Sequence, residues 1–135
     1  MKKALVINPN GTMFTTEFPD KNTGDEIRRL VGNWFDCVRE DDFVGYVDDE
    51  GHALVPGSQD FGDEGLLNGS DLNLVASIVF GRYLAGVVVV FGCLNENGIY
   101  DGRNYDITPD ALLRFAWCAE AKKTHEREIA LRSEI

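Results

Sequence analysis

A chain of 135 residues with 44 % hydrophobic side chains has the length of one domain and enough apolar surface to bury a core, so residues 1–135 are expected to fold as a single unit. Its 23 acidic against 13 basic residues leave a net charge of −10 at pH 7. That field repels phosphate backbones and anionic headgroups, which argues against direct nucleic-acid binding and against a membrane surface. Ala4 to Ile7 is too short an apolar run for an export signal, and Leu84 to Phe91 falls far below the roughly 20 residues of a membrane span. A cytoplasmic setting is therefore expected, with Cys37, Cys93 and Cys118 as reduced thiols.

In chain order, Lys3 to Pro9 predicts a strand, Asn10-Gly11 a tight turn, and Thr12 to Phe18 a second strand of the same hairpin. Thr23 is the predicted cap of a short helix that places Ile27, Leu30 and Val31 on one face before Gly32-Asn33 ends it. Trp34 to Arg39 and Phe43 to Asp48 predict another hairpin around Glu40-Asp41-Asp42, with a further short strand at His52 to Val55. The glycine-rich stretch from Pro56 to Asp71 predicts a surface loop. Asp71 is the predicted cap of a helix through Leu74, Val75, Ile78 and Val79, closed by Gly81.

The valine run within Leu84 to Gly92 suits a central strand buried on both faces, and Asn95 to Asp106 predicts a turn-rich insertion. Thr108-Pro109-Asp110 then has the order of a helix start. This last helix is apolar through Ala119, with Trp117 expected in the core and Trp117→Ala expected to cost about 3 kcal/mol. It turns charged from Glu120 onward, where it is expected to protrude, and Lys122 to Ile135 are expected to be expendable, so that deletion after Glu126 leaves the melting temperature nearly unchanged. The whole reads as an α+β domain: a single mixed or antiparallel sheet with short helices and a C-terminal helix packed on it. The core covers about residues 3–119, and 120–135 form a charged helical tail.

Three segments carry a likeness to a known family. They are Lys3-Ala4-Leu5-Val6-Ile7-Asn8-Pro9, then Leu30-Val31-Gly32-Asn33-Trp34-Phe35-Asp36-Cys37-Val38, then Asn73 and Val75-Ala76-Ser77 leading into Gly81-Arg82-Tyr83-Leu84-Ala85-Gly86 and the valines. In that order they resemble the phage and mobile-element proteins catalogued as domain of unknown function 3846, over roughly residues 3–92. Two departures are the long loop from Pro56 to Ser70 and the helix after Thr108. The family has no assigned active site, so the resemblance implies a mobile-element context, in which small acidic proteins occupy host proteins, and carries over no catalytic residue.

No constellation in the sequence points to chemistry. His52 and His125 lack the spacing of a zinc site, and Cys118 and His125 on one helix are more simply a core thiol and a solvated imidazole. Asn95-Glu96-Asn97-Gly98 with Asp101 hints at a calcium loop, but Cys93 stands where its first carboxylate belongs. Gly81 and Gly86 lack the Lys-Ser/Thr of a phosphate loop, and Gly69-Ser70-Asp71 precedes a helix instead of following a strand. No catalytic residue, metal ligand or cofactor is assigned.

The one concentration of like residues is Asp36, Glu40, Asp41, Asp42, Asp48, Asp49 and Glu50. It reads either as the charged edge of an ordinary hairpin or as an acidic face that meets a basic partner. The expectation is thus a non-catalytic acidic binding protein engaging a host protein, with a possible anti-defence or regulatory role and with homo-oligomers left open. The alternative is a small-ligand or nucleotide binder, or an enzyme, that uses the 56–70 loop with Ser58, Gln59, Asp60 and Phe61.

Overall fold

The valine run settles the architecture, because side chains alternate across a strand and both sets here are apolar. The computed structural model describes residues 1–48 and 72–133. In it β5 (Val88–Leu94) lies inside a six-stranded antiparallel sheet, between β1 (Lys2–Ile7) and β4 (Phe43–Asp48). Val88 and Val90 enter one apolar cluster, while Val89, Phe91 and Cys93 enter the other. Ala4 to Ile7 of β1 divide between the same two clusters, with Leu5 opposite Val90 and Ile7 opposite Val88.

The order β2-β1-β5-β4-β3 follows from two hairpins whose inner strands flank β5. β2 (Met13–Phe18) returns from β1 through Asn10-Gly11, where Asn10 Oδ1 accepts from the Thr12 amide and hydroxyl and Gly11 takes a positive φ. β3 (Phe35–Glu40) forms the far edge, paired along its length with β4. Trp34 stands just outside that strand and is exposed.

Helix α1 (Thr23–Val31) covers one face, burying Ile27 against Phe18, Val89 and Phe91. The predicted Thr23 cap is corrected: Asn22 in the left-handed region precedes the helix, and the Thr23 hydroxyl donates backward to the Pro19 carbonyl. The opposite face carries α2 (Leu74–Phe80) and α3 (Pro109–Ser133). The residue that caps α2 is Asn73, and the predicted Asp71 lies outside the described residues, as does the strand expected at His52 to Val55.

Asn73 does more than cap. Its Oδ1 accepts from the Ala76 amide, and its Nδ2 donates to the carbonyls of Ile7, at the end of β1, and Gly86, just before β5. One fully buried amide therefore fixes the start of α2 to two neighbouring strands. Gly45 on β4 leaves the space that the Phe80 ring fills, since a Cβ there would lie 2.6 Å from Phe80 Cζ. Phe80 in turn meets Phe43 and Phe115 at centroid distances of 5.3 and 5.8 Å, which joins sheet, α2 and α3 in one aromatic contact.

The segment Asn95 to Asp106, expected as a turn-rich insertion, holds a sixth strand, β6 (Tyr100–Tyr105). It pairs with β5 at Gly92 and Leu94, beyond the stretch held by β1. Asn95 supplies the turn, its Oδ1 accepting from the amides of Asn97 and Ile99. Contacts across the sheet hold the hairpin: the Tyr46 hydroxyl donates to Asn104 Oδ1 at 2.7 Å, and the Arg39 guanidinium lies 4.0 Å from the Tyr100 ring centre.

Two measurements check this account. Amides of Val88 to Phe91 should exchange among the slowest in the chain, because only global opening exposes a strand buried on both faces. Asn73→Ala should destabilise the domain by about 3 kcal/mol in urea melts, since it removes a cap and leaves two carbonyls short of their donor.

Candidate functional site

Several large apolar side chains of the described surface are exposed, Trp34 and Ile78 among them, and two others stand one turn apart on α3. Thr108 caps this helix through its hydroxyl, which accepts from the Ala111 amide, and Pro109 supplies the first turn. Ala111, Phe115 and Ala119 are buried against the sheet and α2. They recur every fourth residue along one stripe. With 3.6 residues per turn, positions two before and two after Phe115 fall on the opposite side. Leu113 and Trp117 are accordingly 68 % and 81 % exposed.

This overturns the expected burial of Trp117 and the stability cost attached to it. Its ring stands at a shallow hollow of about 550 Å³ shared with Asp110, Leu113, Arg114, Ala116 and Glu120. An apolar centre with a charged rim is the arrangement of a protein contact, and tryptophan is enriched among residues that dominate such contacts.

The hairpin acids fall into two groups. Asp41 and Asp42 form the β3–β4 turn beside the start of α3: Asp41 pairs with Arg114 at 3.3 Å, and Asp42 accepts from the Thr108 hydroxyl at 3.3 Å. Glu40 adjoins them, opposite Phe43 in the register. Asp36 and Asp48 belong to the other end of the hairpin, roughly 13 Å away at the usual rise per residue. That exceeds a Debye length of about 8 Å at physiological salt. The two also face opposite ways, Asp36 sharing a face with Val47 and Asp48 with Phe35. Asp36 accepts from the Cys37 amide, and Asp48 Oδ2 closes over Gly32. Asp49, Glu50, Ser58, Gln59, Asp60 and Phe61 lie outside the described residues, so the loop of the small-ligand reading contributes no geometry.

Two other depressions are less distinctive. A groove of about 450 Å³ between the Asn10-Gly11 turn and α3 has Met13, Val75, Ala116 and Ala119 among its lining residues. Its lysines are matched by acids, Lys122 with Glu126 at 2.6 Å and Lys123 with Glu120 at 3.5 Å, so its rim favours neither sign of charge. A hollow of about 510 Å³ near Lys2, Thr23 and Arg103 includes Asp20, whose carboxyl is held below its usual range by the N-terminal ammonium at 2.9 Å. Burial pushes the Tyr46 hydroxyl and the Cys118 thiol up. Among the described residues, no group of three or more His, Cys, Asp or Glu converges as metal ligands would, and no helix is long and apolar enough to cross a membrane.

No family model, curated protein or solved structure matches this chain. The surface around Leu113 and Trp117 carried a sequence signal all the same. Apolar residues occupy nearly every position from Ala111 to Ala119, more than one buried stripe can use.

Because the Trp117 ring packs on little of its own domain, Trp117→Ala should shift the folding free energy in dilute solution by no more than about 0.5 kcal/mol. Urea melts of the two proteins would check this, with Phe115→Ala as the contrasting core truncation at about 3 kcal/mol or more.

Proposed function

We propose that this chain is a non-catalytic protein-binding domain whose working surface is the outer face of α3 together with the acidic turn beside it. The observation that carries the reading is the exposed pair Leu113 and Trp117, one turn apart on a helix whose other side is locked into the core. Asp110, Glu120, Asp41 and Asp42 lie around or near this pair, with Arg114 among them. The chemistry fits a partner segment that offers apolar side chains flanked by cations, which long-range attraction to a chain of charge −10 would also favour.

The acidic hairpin thereby enters through its turn, Glu40 to Asp42. Asp36 and Asp48, on opposite faces at the other end of the hairpin, stay outside this surface. With the family resemblance read from the sequence, the setting is a phage or mobile element and the partner class includes a host protein.

Site-specific photocrosslinking in cells tests the assignment. A benzophenone side chain in place of Trp117 should give discrete protein adducts, whereas the same probe at exposed Thr15, on the far edge of the sheet, should give none. Adducts only from a probe at Asp36 would move the site to the other end of the hairpin, and none from position 117 would overturn the reading.

A further inference from the structure

Among the described residues, Lys2, Arg28, Arg39 and Arg114 lie over the rings of Tyr105, Phe35, Tyr100 and Phe43, at 4.0 to 5.4 Å from the ring centres. Trp117 holds none of these cations, although an indole face attracts a cation more strongly than a phenyl or phenol ring does. Its side chain is exposed, on the part of α3 that Phe115 and Ala119 lock to the sheet. A good cation acceptor on a fixed backbone is thus open to a cation from outside the chain.

The hollow around the ring has the charge to draw one. Asp110 and Glu120 line it together with Leu113 and Ala116. Arg114, the cation of this lining, is already met, since Asp41 accepts from it at 3.3 Å and its guanidinium lies over Phe43. Glu120 meets Lys123 loosely, at 3.5 Å through Oε1 and between two exposed side chains, and a carboxylate has room for further donors.

We propose that the anchor taken by this surface is an arginine side chain of a partner protein, its guanidinium stacked on the Trp117 ring and donating to Glu120. The inference rests on the protein-binding reading above and names the partner's anchor. Trp117 and Glu120 are neighbours at i and i+3 on one helix, so a planar cation lying on the ring has a carboxylate at its edge. A guanidinium stacks and donates in its own plane at the same time, whereas an ammonium does so only by giving up strongly held water. Asp110, two turns away and about 10 Å along the axis, contributes field more than contact. The hollow is too shallow to enclose a small ligand, so the arginine must come on a segment that also lays an apolar side chain on Leu113.

The test is heteronuclear NMR of the nitrogen-15-labelled full chain, titrated to about 10 mM with the capped peptide Leu-Arg-Leu or with its citrulline and lysine versions. The arginine peptide should move the Trp117 indole N–H and the amides of Leu113 to Glu120 saturably, and leave the equally exposed Trp34 indole in place. Citrulline keeps the shape without the charge and should bind about tenfold more weakly, and lysine about threefold. Trp117→Leu, which keeps the apolar bulk, and Glu120→Gln should each shrink the arginine-over-citrulline preference to about threefold or less, with the remaining amide signals unmoved. No saturable shift, equal shifts at Trp34, citrulline or lysine binding as well as arginine, or a preference that survives both substitutions would each overturn the inference. If it is overturned and the photocrosslinking probe at position 117 still captures a protein, the arginine anchor is refuted and the protein-binding reading stands; an inert probe refutes both.

Discussion

The constraint on which the fold depends is that β5 is apolar on both sides. A strand of this kind cannot lie on a sheet that shows one face to water, so the chain must supply cover above and below. It does so with α1 on one side and α2 with α3 on the other. The hairpins β1–β2 and β3–β4 serve the same end by placing one strand on each flank of β5. Asn73 then matters out of proportion to its size. It joins α2 to the end of β1 and to the residues entering β5, so the cover is fixed to the strands it covers.

This requirement also explains why α3 has two dissimilar sides. The face over the sheet is narrow and needs only Ala111, Phe115 and Ala119, with Leu112 and Cys118 packed at its margins. Phe115 wedges against Phe43 and Phe80, which sets the helix in place without using Leu113 or Trp117. Two large apolar side chains are left in water on a rigid support. Their conformational cost of binding is small, since the backbone beneath them is already ordered. A surface so prepared is suited to recognition, because the free energy of contact is not spent on folding the element that makes it.

Much of this was legible in the residues. The Asn-Gly hairpin, the central valine strand, Gly81 as a helix terminator and the Thr108-Pro109 helix start all appear where their local chemistry put them. What was not legible has definite causes. β6 was hidden because its residues, Tyr-Asp-Gly-Arg-Asn-Tyr, are largely exposed and include Gly102 at positive φ, so it has neither the apolar alternation nor the composition of a typical strand. Asn73 was overlooked as the cap of α2 because its spacing gave no hint that the site needs a side chain that both accepts and donates, which an amide does. Trp117 was misplaced because a helix with apolar residues on every side does not reveal which stripe is buried; the partners Phe43, Phe80 and Val75, distant in sequence, decide that. The acids read as one cluster divide because a hairpin separates residues at its turn from those at its open end, whatever their proximity in the list of charges.

Charge connects these observations. At long range a net charge of −10 favours a cationic partner, and at short range what counts is which side chains touch. With a screening length of about 8 Å at physiological salt, the net charge of a distant face contributes little to a contact along α3, while Asp110 and Glu120 at the rim of the Trp117 hollow are close enough to act on whatever docks there. The cations of this chain are few, and four of the thirteen lie between Lys122 and Arg132. Two of them, Lys122 and Lys123, pair with Glu126 and Glu120 on the same helix, so the tail of α3 offsets little of the negative field and the acids around Trp117 set the sign of the charge that a partner meets there.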